Sequence, residues 1–125
     1  MNIVISNTSG DPIYQQIFEQ ISAQIIKGEL LNDFCLPPIR TIAKELRISV
    51  IPVKMAWEEL EREGFIYTIA GKGCFVSSLG SKALDEKRNR LASEKFKEDI
   101  AFYQALGLSM SDVIELVKRY YNSDA

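Results

Sequence analysis

Arg40, Lys44 and Arg47 stand four and three residues apart, and Ser49 and Lys54 follow within the next seven positions. Side chains at that spacing share one helix face, so the first three form a cationic row. Guanidinium and ammonium groups hold phosphate oxygens, and hydroxyls and lysine heads also reach base edges. A further ammonium, Lys72, sits in Gly71-Lys72-Gly73. Bond-making chemistry is missing from this inventory. The chain has no histidine, which removes the usual general base and the commonest metal ligand. It offers no nucleophile–base pair and no metal-ligand spacing. Gly-Lys-Gly is too short for a phosphate loop, which needs a longer glycine-spaced run and a following Ser or Thr. The expectation is therefore a non-enzyme with no catalytic residue, no metal and no cofactor.

The elements that position these groups follow from hydrophobic spacing. Ile39, Ile42, Ala43 and Leu46 repeat at i, i+3, i+4, i+7, and Val53, Ala56, Trp57 and Leu60 repeat the same template. Each set is one apolar face of a helix. A polar break around Arg47 and Ser49 separates them, the pattern of a helix-turn-helix. Arg40, Lys44 and Arg47 lie on the outward face of the first helix, with Thr41 beside them, and Ser49 and Lys54 lie at the start of the second. That start has two readings. Ser49 caps the helix with Pro52 in its first turn, or Ile51 is the cap, because a residue before proline resists helical backbone.

Upstream, Ile3-Val4-Ile5 is a β-prone arm that leads into a turn. Asp11 is the expected N-cap of a helix opening at Pro12 and running to about Lys27. Tyr14, Ile17, Phe18, Ile21 and Ile25 form its buried stripe, and Gly28 ends it. Residues 29–38 read as an irregular link with Phe34 and Leu36 turned inward. Downstream, Gly64 stops the second motif helix. Residues 65–69 and 74–77 read as two strands around the turn 70–73, a β-hairpin. After a helix-turn-helix such a hairpin is a wing, and its tip, with Gly71 and Lys72, can approach a phosphate or the minor groove. Taken alone, it is an ordinary solvated turn.

Residues 77–81 read as a hinge. A long helix follows from about Lys82 to Leu106, terminated by Gly107. Ser109 or Ser111 then caps a last helix. Its apolar residues cover more than half the circumference, more than a two-helix tail buries by itself. A second copy of the chain is the natural partner, through Phe96, Ile100, Tyr103, Val113, Leu116, Val117 and Tyr120. The alternative is that these faces pack within the chain. The expected architecture is mostly α with a small β-hairpin: a winged helix-turn-helix over residues 1–78 and a two-helix dimerisation tail over 79–125.

The chain has 125 residues, 46% of them hydrophobic, enough for one small core plus an accessory piece. No apolar run is long enough to cross a bilayer. No basic region precedes an apolar stretch at the N-terminus, so no signal peptide is expected. Cys35 and Cys74 are far apart in sequence, and a reduced cytoplasmic setting fits them. Cys74 is expected to face the core, which would leave its thiol inert. The net charge of −2 is unusual for a nucleic-acid binder. Position outweighs the sum, however. Residues 36–56 carry Arg40, Lys44, Arg47 and Lys54 against Glu45 alone, and Glu58, Glu59, Glu61 and Glu63 come after.

Several stretches together resemble the GntR family of transcription regulators. They are Pro12-Ile13-Tyr14-Gln15-Gln16-Ile17; Leu36-Pro37-Pro38-Ile39-Arg40; Ala43; Leu60-Glu61-Arg62-Glu63-Gly64-Phe65-Ile66; and Gly71-Lys72-Gly73-Cys74-Phe75-Val76. Their order over residues 12–76 is specific, although no single piece is. The tail resembles the short two-helix type of the YtrA subfamily in Leu106-Gly107-Leu108-Ser109 and Val113-Ile114-Glu115-Leu116. The resemblance implies a bacterial, dimeric regulator, often a repressor acting near transporter genes, whose partner is double-stranded DNA. By position, Arg40 resembles a DNA-contacting arginine, Ser49 and Lys54 the contacts of the turn and recognition helix, and Gly71 and Lys72 the wing tip. The departures are Arg47, where the family usually has glycine, Val50-Ile51-Pro52 in place of polar residues, and Cys74 in place of threonine.

Val50 and Ile51 either touch thymine methyl groups in the major groove or merely pack the turn. The leading expectation is a dimeric repressor on a pseudo-palindromic operator, with no membrane partner. The acidic balance and the apolar 50–52 segment support an alternative, a winged-helix protein-interaction module that no longer binds DNA. A crevice between paired tails could admit a small-molecule effector lined by Phe96, Tyr103, Tyr120 and Tyr121, residues that equally suit core packing.

Overall fold

A computed structural model describes residues 1–123. Its elements are α1 (Ile13–Ile26), α2 (Ile39–Leu46), α3 (Val50–Arg62), β1 (Ile66–Ile69), β2 (Gly73–Val76), α4 (Ser81–Ala105) and α5 (Met110–Tyr120). The chain divides into two compact units, Met1–Leu84 and the stretch from Asp85 onward.

The first unit is built on α1 and α3. Ile17, Ile21 and Ile25 of α1 and Val53, Ala56, Trp57 and Leu60 of α3 are buried, as are Ile42 and Ala43 of α2. Phe65, Ile66 and Val76 close this core from the hairpin side, and Phe18 meets Phe65 edge-on at 6.2 Å. Tyr14 and Phe18 are only half-buried, so the stripe of α1 is narrower than its spacing suggests. The helix begins one residue later than expected. Pro12, not Asp11, is its N-cap, because the Pro12 carbonyl accepts from the Gln15 and Gln16 amides. The Asp11 carbonyl is taken instead by the Gln16 side chain, at 3.0 Å.

That glutamine belongs to a ladder. Gln16, Gln20 and Gln24 lie in line along α1, and each side-chain amide bonds the arm in both directions. Gln24 accepts from Asn2 N–H and donates to its carbonyl, Gln20 does the same at Val4, and Gln16 at Ser6. Four helical residues rise about 6.0 Å, and two extended residues span about 6.6–6.8 Å. The two repeats match closely enough for three rungs. The β-prone arm thus finds a helix where a strand partner would be.

The link before α2 is more ordered than its composition suggests. Asp33 N–H donates to Val76 O, Val76 N–H to Phe34 O, and Leu36 N–H to Cys74 O. The segment therefore lies along the free edge of β2. Leu36 is buried as expected, but Phe34 is exposed. The reason is local: Phe34 N–H closes a turn onto Leu31 O, next to Asp33 at φ 63°, and this rotates Phe34 out of phase with Leu36. Asp33 also accepts from Tyr67 Oη at 2.7 Å and from Ser78 Oγ, tying both flanks of the hairpin to the link.

In the second unit, Gly107 adopts φ 82° and Leu108 N–H returns to Tyr103 O, which ends α4. Ser109, not Ser111, caps α5. Its hydroxyl accepts from Asp112 N–H while the Asp112 carboxylate accepts from Ser109 N–H, a reciprocal capping box. The bond from Ser109 N–H, and after it the nearby Ser109 hydroxyl, hold the Asp112 carboxyl below the usual carboxylate range.

Candidate nucleic-acid interface

Residues 47–49 join α2 to α3. Arg47 turns the chain in the left-handed region (φ 57°, ψ 46°), and its N–H reaches Lys44 O while Ile48 N–H reaches Ala43 O. A side chain beyond Cβ makes this conformation costly, by roughly 1–2 kcal/mol, which is why glycine is usual at such a stop. Ser49 is the N-cap of α3, in extended backbone, and its hydroxyl bonds no backbone N–H of the helix. Pro52 is the third helical residue, where the helix needs no donor. The ring meets no helical carbonyl either, since the residue four before it, Ile48, lies outside α3, and Ile51 is helical despite preceding the proline.

The buried residues of α3 lie on one arc, and Val50, Ile51, Lys54, Met55, Glu58, Glu61 and Arg62 fill the opposite one, all exposed. Along that outer arc the N-terminal half carries Lys54 among apolar side chains, and the acids come later. Lys54 Nζ is 4.0 Å from Glu58, one turn on. On α2, Arg40, Thr41, Lys44 and Arg47 are exposed while Ile42 and Ala43 are buried. Arg40, Lys44, Arg47 and Lys72 have no ion-pair partner among the described residues. Pro38 caps α2 without a side-chain bond. The first N–H groups of that helix are therefore open beside Arg40 and Thr41, a favourable setting for an anion.

The wing is the antiparallel pair β1–β2 with Ile66 opposite Val76 and Ile69 opposite Gly73. The first strand starts one residue later than expected, and the second is shifted one residue earlier. Phe65 precedes β1 as a core residue, although its carbonyl still accepts from Ser77 N–H. Ala70, Gly71 and Lys72 form the loop, Lys72 N–H closes onto Ile69 O at 2.9 Å, and Gly71 and Gly73 both take positive φ. Cys74 is not a core residue. It is half-buried opposite Thr68, whose hydroxyl lies 3.4 Å from its sulfur, because it sits on the outer half of the pleat that buries Ile66 and Val76. Cys35 is exposed and bridges to Phe75, so it points to the other face of the hairpin.

In the tail, α5 shows two apolar rows. Val113, Leu116, Val117, Tyr120 and Tyr121 border an open groove of about 390 Å³ with Phe96, Asp99 and Tyr103. Met110, Ile114, Val117 and Tyr121 form the adjacent row and are exposed. Val113 is the one buried residue of α5, so it serves the packing of the helix pair itself. Ile100 is half-buried on α4.

Sequence reasoning missed Met55, which extends the outer apolar face of α3, and Glu58, which restrains Lys54. Their signal was available in the phase of the helix: residues 50, 54 and 58 and residues 51 and 55 each repeat every four positions.

Paired helices with a left-handed turn, an outward cationic row and a hairpin wing define a winged helix-turn-helix DNA-binding protein. The chain belongs to the gntR family of bacterial regulatory proteins, whose family model matches residues 13–76. It is 31% identical to the HTH-type transcriptional repressor YtrA of Bacillus subtilis over 116 residues, covering 93% of this chain and 89% of that one. Among solved structures it is similar to YtrA from Sulfolobus acidocaldarius, a GntR-family transcription factor, with TM-score 0.60 and 34% identity over 85% of this chain and 98% of that one. The DNA-binding domain of AraR in complex with operator ORX1 aligns with TM-score 0.54 and 25% identity over 62% of this chain and 96% of that domain. Among the described residues, no helix is long and apolar enough to cross a membrane and no group of side chains is arranged to hold a metal ion.

Proposed function

We propose that the protein is a dimeric transcriptional repressor that occupies a pseudo-palindromic operator. The observation that carries this reading is the outward row of unpaired cations on α2, set beside the exposed start of α3. Arg40, Thr41, Lys44 and Lys72 hold phosphates, with Arg47 added to them by its exposure. Ser49, Val50, Ile51 and Lys54 meet the major groove, and the Gly71 turn lets the wing tip approach the backbone. The role of repressor is supported by the YtrA relative, which matches over nearly its whole length. Residues 1–78 carry DNA binding and residues 79–125 pairing. A protein working on chromosomal DNA acts in the cytoplasm, and no step of this role requires catalysis.

Pairing is supported by the row Met110, Ile114, Val117 and Tyr121, which stays exposed in one copy even though Val117 and Tyr121 border the tail groove. A second copy also supplies the second half-site reader. Any small-molecule effector would enter the groove beside Phe96, Tyr103 and Tyr120 once two tails meet.

The test is a salt titration on operator fragments selected from random DNA. Arg40→Ala in both subunits removes two phosphate contacts, which flattens the slope of log K against log salt by about 1.8. Unchanged slopes would remove Arg40 from the interface. Failure to select any fragment at low salt would favour the protein-interaction module instead. Val117→Asp should convert dimer to monomer in sedimentation; a persistent dimer would place pairing elsewhere.

A further inference from the structure

Val50, Ile51 and Met55 are 45%, 64% and 43% exposed on the outer arc of α3. The core is already served by Val53, Ala56, Trp57 and Leu60 on the other arc, so packing of the turn does not account for these three. Helix propensity does not account for Val50 and Ile51 either, since β-branched residues are among the weaker helix formers. Polar readers are scarce on the same two turns: Ser49 and Lys54 are the donors, and Lys54 leans toward Glu58.

We infer that Val50, Ile51 and Met55 form an apolar reader of pyrimidine C5-methyl groups, so that the half-site core is a short run of thymines. This rests on the reading of α3 as the helix that enters the major groove. There, the thymine methyl is the one apolar group among the base edges. Five residues from Val50 to Met55 rise about 7.5 Å along the helix, close to two steps of about 3.4 Å between stacked bases. The three side chains can therefore cover two or three successive base pairs. Specificity passes from hydrogen bonds to shape and methyl contact, while the cations of α2 and the wing supply affinity.

The test uses the full-length protein and synthetic duplexes carrying its selected site. Replacing one thymine at a time by deoxyuridine removes a methyl group and leaves every hydrogen-bonding edge intact. One buried methyl is worth about a fourfold change in affinity. We expect about that loss at two or three adjacent positions per half-site and none at outer positions. In Val50→Ala and Ile51→Ala, whose side chains lie outside the core, the thymine-to-deoxyuridine ratio at one position each should return to near one. Equal binding of every deoxyuridine duplex by the parent protein would overturn the methyl reader while leaving DNA binding itself intact. Binding of no duplex at all, by parent or variants, would overturn the groove-entering role of α3 and this inference with it.

Discussion

Arg47 is held where glycine is easier, and replacing it separates stability from DNA binding. At φ 57° and ψ 46° the arginine carries a strain of roughly 1–2 kcal/mol. Glycine relieves that strain but loses about 0.5–1 kcal/mol through the greater freedom of its unfolded chain. The balance for Arg47→Gly is a gain of about 0.5–1 kcal/mol. In a unit of the size of Met1–Leu84 that raises Tm by about 3–6 °C. The same change deletes an unpaired cation from the outward row. If Arg47 contacts a phosphate, a dimer loses two contacts, and the slope of log K against log salt falls in magnitude by about 1.8. The assays are thermal unfolding without DNA and fluorescence anisotropy at several salt concentrations. A more stable variant with an unchanged salt slope would refute the phosphate contact. A variant with lower Tm would refute the strain argument, since it would mean that Arg47 makes stabilising contacts beyond those of its backbone.

Gln16→Glu keeps the acceptor for Ser6 N–H but turns an oxygen toward the Ser6 and Asp11 carbonyls; two lost bonds and the new repulsion should cost about 2 kcal/mol at neutral pH. The ceiling is the energy of docking the arm, so hydrogen exchange should show residues 2–6 deprotected. The introduced carboxyl has its pKa raised by those carbonyls, so the defect should shrink as pH falls toward the ordinary glutamate value; a pH-independent defect would contradict this. Glu58→Gln frees Lys54 from its 4.0 Å partner and removes an exposed charge that would face DNA in the proposed complex; affinity measured by anisotropy should rise severalfold, most at low salt. For Asp112, a folded pKa below the unfolded value means that its stabilisation is present above about 3.8 and is lost as pH falls through the lower folded value. Tail helicity by circular dichroism should therefore drop in acid, and Asp112→Asn should weaken that drop by keeping an uncharged acceptor for Ser109 N–H.

The parts of the fold that were legible in the sequence are those where apolar residues choose the face. Ile42 and Ala43 on α2, and Val53, Ala56, Trp57 and Leu60 on α3, are buried as their spacing requires. The winged helix-turn-helix followed from those two stripes and the glycine punctuation around the hairpin. What escaped is held by polar bonds over long sequence distances. Gln16, Gln20 and Gln24 stand in line on a helix, which was readable, but their use as strand-like partners depends on an arm up to 22 residues away. The pairing of residues 33–36 along β2 likewise joins segments about forty positions apart through backbone groups, which carry no residue signature.

The candidate interface divides the same way. The cations of α2 were assigned to the outward face by their spacing against Ile42 and Ala43, and they lie there. Val50 and Ile51 resisted assignment because an apolar residue next to a buried stripe fits either face of a first turn. Both are exposed on the outer arc of α3, which supports the proposed reading of DNA. A chain with net charge −2 and few exposed donors at the start of α3 is poorly suited to draw selectivity mainly from charge. In the proposed complex, the acids on the later turns of α3 would limit how far that helix lies along a duplex and leave the first two turns to discriminate. Those turns present three apolar side chains and one lysine. If they enter the major groove as proposed, the selectivity they provide rests on methyl groups and fit and is less sensitive to salt than an affinity set by Arg40, Lys44 and Lys72. Raising the salt should weaken binding to every sequence while preserving the ranking among thymine-containing and thymine-depleted sites.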